Sequence, residues 1–244
     1  MMLGVFYAVL FYLASAIFVI GIVYKIQSYA SSPAPLKIPT MPAPMTKSGV
    51  AMRMFREVAF FESLFRSNKW TWIFGWAFHM SLVLIFFRHL RYFMDPLPFW
   101  VVWAQPFGQY AAFLMLFGLA GLFGRRIFVE RVRYISSPSD YLMLVLLFVI
   151  GGSGAIMSFT MIGHTDIVAV KYYIQNLLGF SIVDIPSDFF LLVHLILVIF
   201  LMAIFPISKL LHAPGFFFSP TRNQVDDSRS KRHLAPWAAK LEKN

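Results

Sequence analysis

No cysteine occurs in the 244 residues. The chain therefore cannot attach a c-type haem covalently, offer a thiolate to haem iron, or hold an iron–sulfur cluster of its own. Any electron that reaches its cytoplasmic face has to be exchanged with a separate protein. Charge is also scarce: 13% of the residues are Asp, Glu, Lys or Arg, and only 11 are acidic. Asp188 sits at the edge of an apolar stretch and no carboxylate stands near the middle of one, which argues against a channel or proton path through the membrane. No internal repeat is visible, and an odd number of apolar stretches argues against a transporter built from two equal halves.

What is present is mostly hydrocarbon. Hydrophobic residues make up 59% of the chain and Phe alone accounts for 28 positions, a composition hard to keep in water at this size. Five stretches are long enough to cross a bilayer, which takes about 20 residues each: 3–24, 70–93, 106–124, 141–162 and 188–211. The first is too long for a signal-peptide core, lacks a basic flank and is followed by no small-residue cleavage site, so it reads as a retained span. The expected fold is an all-α membrane protein, a bundle of five transmembrane helices.

Basic residues set the orientation. Lys25, Lys37, Lys47, Arg53, Arg56, Arg66 and Lys69 lie between the first and second stretches, and Arg125, Arg126, Arg131 and Arg133 between the third and fourth. With Lys209 and the tail, eighteen of the 21 basic residues fall on one side, against Arg88, Arg91 and Lys171 on the other. The amino terminus is then outside and the carboxyl terminus cytoplasmic. The formal charge of +10 follows from this asymmetry and is no footprint of nucleic acid. Trp70 and Trp72 at one edge and Trp100 and Trp103 at the other read as aromatic belts. The expected organisation is a membrane domain over 1–212, including a cytoplasmic loop at 25–69, followed by a cytoplasmic tail at 213–244. The loop opens Pro-rich and becomes an amphipathic stretch over about 50–68 that suits a membrane interface. Loop and tail both read as docking surfaces.

Four histidines stand in two of the apolar stretches: His79 and His89 in the second, His194 and His212 in the fifth. A neutral imidazole in hydrocarbon must satisfy both ring nitrogens, so such positions are rarely occupied without a function. Paired imidazoles are axial ligands for haem iron, and four histidines on two helices point to two haems b. Helices two and five run in opposite directions, so depth pairs His79 with His212 and His89 with His194. Ten residues rise about 15 Å and eighteen about 27 Å, which sets two irons on the order of 21 Å apart along the membrane normal. Eighteen residues return to one helix face after about five turns, whereas ten leave His79 and His89 roughly 80° apart, and Pro206 interrupts the ideal phase of the second pair. Interhelix packing is the plainer reading for any one of them. His212 would also suit a helix C-terminus, and His233, in the basic tail, reads as solvated.

The segments FGWAFHMSLVLIFFRHLRYF and LLVHLILVIFLMAIFPISKLLHAPG, with their ten- and eighteen-residue histidine spacings, resemble the gamma, cytochrome b subunit of respiratory nitrate reductases. APLKIPT, ISSPSDYLML and APGFFFSPTRNQVD look closer still to the DsrM membrane cytochromes of the Dsr sulfur-metabolism complex. The resemblance implies a dihaem cytochrome b subunit with His79, His89, His194 and His212 as haem-iron ligands. It implies electron transfer between the quinone pool, menaquinone or ubiquinone, and a cytoplasmic iron–sulfur subunit of the DsrK type, related to heterodisulfide reductases, with further Dsr subunits as possible neighbours. The alternatives are a gamma subunit of a nitrate-reductase-type quinol dehydrogenase and a membrane anchor without quinone chemistry. A quinone needs an apolar slot, a hydrogen-bonding group and a proton route near a haem. At the outer side His164, Asp166 and Lys171 are the candidates, with a loop or capping role as the alternative for His164. Arg88 and Arg91 are read as partners of haem propionates. Lys69, Arg125 and Arg126 would serve a quinone at the inner haem. The expected location is a bacterial or archaeal cytoplasmic membrane.

Overall fold

A computed structural model describes residues 1–34, 36–161, 165–227 and 240–241. All regular structure among the described residues is helical: α1 (Met2–Ser31), α2 (Lys47–Phe60), α3 (Glu62–Ser67), α4 (Lys69–His89), α5 (Phe99–Phe128), α6 (Glu130–Tyr134), α7 (Pro138–Phe159), α8 (Ile167–Leu178), α9 (Phe189–Ile204), α10 (His212–Gly215) and α11 (Pro220–Asn223), with short 3₁₀ turns between some of them. Five helical stretches are long and apolar enough to cross a membrane: Met2–Ser31, Lys69–Tyr92, Phe99–Phe128, Pro138–Phe159 and Phe189–Ile207. Their number and order agree with the expected five.

The ends show what local chemistry does. Asn68 starts α4 by accepting hydrogen bonds from the Thr71 amide (2.8 Å) and hydroxyl (2.9 Å). At the start of α7 the Asp140 carboxylate accepts from the Ser137 amide at 2.9 Å and its hydroxyl at 3.0 Å, while Arg126 stands 3.7 Å away. The third span begins at Phe99, seven residues before the expected start, and takes Pro106 into its interior. Proline removes one backbone donor from a helix. Around it, the Gln105 side-chain amide donates to the Val101 carbonyl (3.2 Å) and Arg88 donates to the Gln105 carbonyl (2.8 Å), so polar side chains bond the backbone beside the proline.

The fifth span corrects the expectation of one helix to residue 211. The α-helix stops at Ile204, Phe205–Ile207 tighten into a 3₁₀ turn, and Ser208 is extended with φ −98° and ψ 170°. Pro206 cannot donate to the preceding turn, and the Ser208 hydroxyl restarts the chain by capping the Leu210 amide at 3.2 Å. The amphipathic stretch of the first loop is likewise two helices, broken at Phe61, whose φ of 51° is left-handed.

The chain divides into two compact units, Met1–Ala16 with Ser67–Ala203, and Ile17–Arg66 with Ile204–Asn244. In the first, α4 and α5 pack most closely because α5 presents glycine to α4: a Cβ on Gly118 would stand 2.8 Å from the Phe74 carbonyl oxygen. One core gathers Phe78, Met115, Leu119 and Leu147 from α4, α5 and α7. Another joins Tyr7, Tyr173, Leu191 and Leu195 from α1, α8 and α9. In the second unit, residues 36–44 run beside 221–227. Thr40 donates its amide to the Thr221 carbonyl (2.8 Å), Asp226 donates to the Pro44 carbonyl (2.8 Å), and Lys37 pairs with Asp227. Arg222 reaches Glu57 at 3.1 Å and the Ser63 hydroxyl at 2.7 Å.

Candidate functional site

His79 and His89 lie on α4, His194 on α9 and His212 at the first residue of α10. His89 and His194, both in the first unit, come together with ring centres 6.3 Å apart and planes 12° from parallel. Metal–imidazole bonds of about 2.0–2.1 Å, plus roughly 1.2 Å from ring centre to nitrogen on each side, would hold two in-line imidazoles about 6.4 Å apart. The observed separation is therefore the one a single shared iron would set. The backbones of α4 and α9 do not pack closely, and the two ring planes lie nearly parallel across the space between them.

A common feature unites the four rings. Nδ1 of His79 lies 2.7 Å from the Gly75 carbonyl oxygen, that of His89 2.7 Å from Ile85, that of His194 3.1 Å from Ile150, and that of His212 2.8 Å from Lys209. A carbonyl can only accept, so Nδ1 carries the proton in each ring and Nε2 keeps the lone pair that binds metal. Haem-ligating imidazole needs this tautomer, with its outer N–H held by an acceptor. Three rings are held by their own helical turn. His194 is held from α7.

Around His89, the Tyr92 ring stands edge-on at 5.9 Å, and the Arg91 guanidinium covers Tyr92 at 5.0 Å while donating to its hydroxyl at 3.0 Å. Arg91 Nε and Gln105 Oε1 are buried without a hydrogen-bond partner. An unsatisfied buried guanidinium nitrogen is a donor waiting for an anion, which suits a propionate. Arg88 instead gives one nitrogen to the Gln105 carbonyl. Both arginines lie on the last residues of the α4 span, as the sequence places them. The donor set and the buried orphan thus fit a haem between His89 and His194. Among the described residues no group of three or more His, Asp or Glu is placed to hold a metal ion by itself.

Among the remaining candidates, Asp166, Lys171 and Arg126 have partners of their own. Asp166 Oδ1 caps α8, accepting from the Val168 and Ala169 amides at 2.8 and 3.3 Å, and Lys171 pairs with Asp95 at 3.1 Å. His164 lies outside the described residues. Arg126 is committed to the α5–α7 turn, donating to the Ser136 hydroxyl at 2.6 Å. His212 belongs to the second unit, in a turn that the break at Pro206 separates from α9, so the five-turn phase argument for His194 and His212 does not apply. Ser153, Gly154 and Gln105 were not singled out by sequence. The Ser153 hydroxyl is 2.9 Å from His194 Nδ1, and a Cβ on Gly154 would lie 3.5 Å from the same ring. The only signal for Ser153 and Gly154 was the small-residue run GGSGA inside an otherwise bulky span.

Residues 62–225, which include all four histidines, match the family described as nitrate reductase gamma subunit. Along nearly its whole length the chain is also similar to two archaeal proteins, each named Hdr-like menaquinol oxidoreductase cytochrome b-like subunit. The one from Archaeoglobus fulgidus is 38% identical over 97% of this chain and 84% of the relative. The one from Archaeoglobus profundus is 34% identical over 96% and 83%. With its five apolar helices and the histidine spacing of both key segments, the chain belongs to the nitrate reductase gamma subunit family of membrane cytochromes b.

Proposed function

We propose that this chain is the membrane cytochrome b-like subunit of an Hdr-like menaquinol oxidoreductase. It would carry two noncovalent haems b and pass electrons between menaquinol and a cytoplasmic iron–sulfur subunit of the DsrK type in dissimilatory sulfur metabolism. The observation that carries this reading is the His89–His194 pair, parallel and 6.3 Å apart. The relatives' names support the menaquinol, and the absence of Cys requires the redox partner to be another protein. The basic loops support an arrangement in which residues 25–69 and the tail from 213 face the cytoplasm.

Haem bound at each histidine pair supplies a one-electron carrier. The chain's own residues do the rest. His89 and His194 present Nε2, with Nδ1–H held by the Ile85 carbonyl in one ring and by acceptors on α7 in the other. His79 and His212 remain the sequence's candidates for the second haem. Arg91 offers Nε to a propionate, and Arg88 is the second cation at that depth. Oxidising a quinol releases two electrons and two protons. The protons leave near the outer haem, where His164, the free oxygen of the Asp166 carboxylate and Lys171 are the proposed acceptors and contacts.

A pyridine haemochrome assay on purified protein should give two haems b per chain, and His194→Ala should leave one. No haem, or two haems retained in His194→Ala, overturns the reading. For the quinone, Asp166→Asn combined with His164→Ala keeps the α8 cap, since Asn caps about as well as Asp. It should slow haem reduction by a menaquinol analogue with both haems in place. Unchanged rates would move the quinone to the cytoplasmic half.

A further inference from the structure

His194 differs from the other three histidines because its Nδ1–H is not satisfied by its own turn. Two acceptors on α7 stand within reach of it, the Ser153 hydroxyl oxygen at 2.9 Å and the Ile150 carbonyl at 3.1 Å. The Ser153 hydroxyl also lies 2.9 Å from that carbonyl, and the serine is 7% exposed. Its proton has one acceptor, Ile150 O, and its lone pair faces one donor, His194 Nδ1–H. The three groups therefore form a closed chain from ring to hydroxyl to carbonyl with no polar atom left over. Gly154 lies beside the same ring, where an added Cβ would make ordinary contact with the ring edge at 3.5 Å.

We propose that Ser153 is a positioning residue for His194, whose hydroxyl fixes the plane of the imidazole parallel to that of His89 and strengthens it as an electron donor to iron. This rests on His89 and His194 being the ligands of one haem. A ligand imidazole whose N–H is held by an acceptor is more basic, and a more basic ligand favours the oxidised iron. Losing the hydroxyl should raise the potential of the outer haem. The angle between two axial imidazole planes also shapes the electron paramagnetic resonance spectrum of low-spin ferric haem, so a ring released from its plane should change that signal.

The test uses the full chain in membranes and two isosteric variants, Ser153→Thr, which keeps a hydroxyl, and Ser153→Val, which does not. Potentiometric titration and electron paramagnetic resonance are read for both haems. Ser153→Val should move the outer haem's potential upward and shift its low-spin signal, with the inner haem unmoved, while Ser153→Thr stays near the wild type. Equal shifts in both variants, or none in either, would sink the proposal, because packing alone would then account for the site. Failure of the underlying reading looks different: wild-type protein would lack a bis-imidazole low-spin signal, or His194→Ala would keep it.

Discussion

Tyr173 is 1% exposed, and its hydroxyl donates to the Gly4 carbonyl at 3.3 Å, tying α8 to the start of α1. Burial pushes its phenol up to about 12 from an ordinary 10. The folded state thus holds the proton more tightly than the unfolded chain does. Its contribution to stability is complete below pH 10 and is lost as pH rises from 10 to 12. Thermal unfolding in detergent across that window should be less alkali-sensitive in Tyr173→Phe than in the wild type. At Gly118 the constraint is steric: Gly118→Ala should cost about 1–3 kcal/mol, seen as a lower melting temperature, because the added carbon meets the α4 backbone. At this scale the His89–His194 pair was legible as a candidate, since imidazole in an apolar run has few innocent uses. Ser153 was not. Serine in a membrane helix commonly bonds its own preceding turn, and only the place of the His194 ring beside α7 reveals the second partner.

Hydrophobic length fixed the existence and order of the five spans, because hydrocarbon thickness leaves few alternatives to a helix of that length. Boundaries depended on neighbours instead. Pro106 reads as a helix start in isolation but lies inside α5, where Gln105 and Arg88 add side-chain hydrogen bonds to the backbone beside it. Pro206 reads as a kink and is an end, because Ser208 offers the chain a new cap. That turn rests on α1, where a Cβ on Gly21 would stand 2.5 Å from the Pro206 ring. Gly21→Ala should therefore push the turn aside and deplete the haem assigned to His212, leaving the His89–His194 haem in place. Haem content and the two potentials would report it. Depletion of both haems equally would mean that α1 acts on the bundle as a whole.

Across the whole molecule, loop and tail were read as two separate docking surfaces, and the second unit makes them one piece of structure. Residues 36–44 hydrogen-bond along 221–227, and Arg222 closes onto Glu57 and Ser63. Long-range pairing of this kind has no local sequence signature, since neither segment carries the periodicity of a helix or strand. Deleting 213–244 removes every one of these contacts, so it should loosen the loop as well as the tail. Limited proteolysis within 36–63 should quicken several-fold in the truncated chain, and to a smaller extent in Arg222→Ala. Loss of the iron–sulfur partner on truncation would then implicate the joined surface.

The same interlock sets an order of events during synthesis. Glu57 and Arg222 are 165 positions apart, and at about 5–20 residues per second the ribosome takes roughly 10–30 s to travel between them. Throughout that interval the loop is made but its partner segment is not, and the last span must clear the ribosome before the two can meet. The surface is complete only on a chain translated past residue 227, so a prematurely terminated copy would present a partner with an unfinished face.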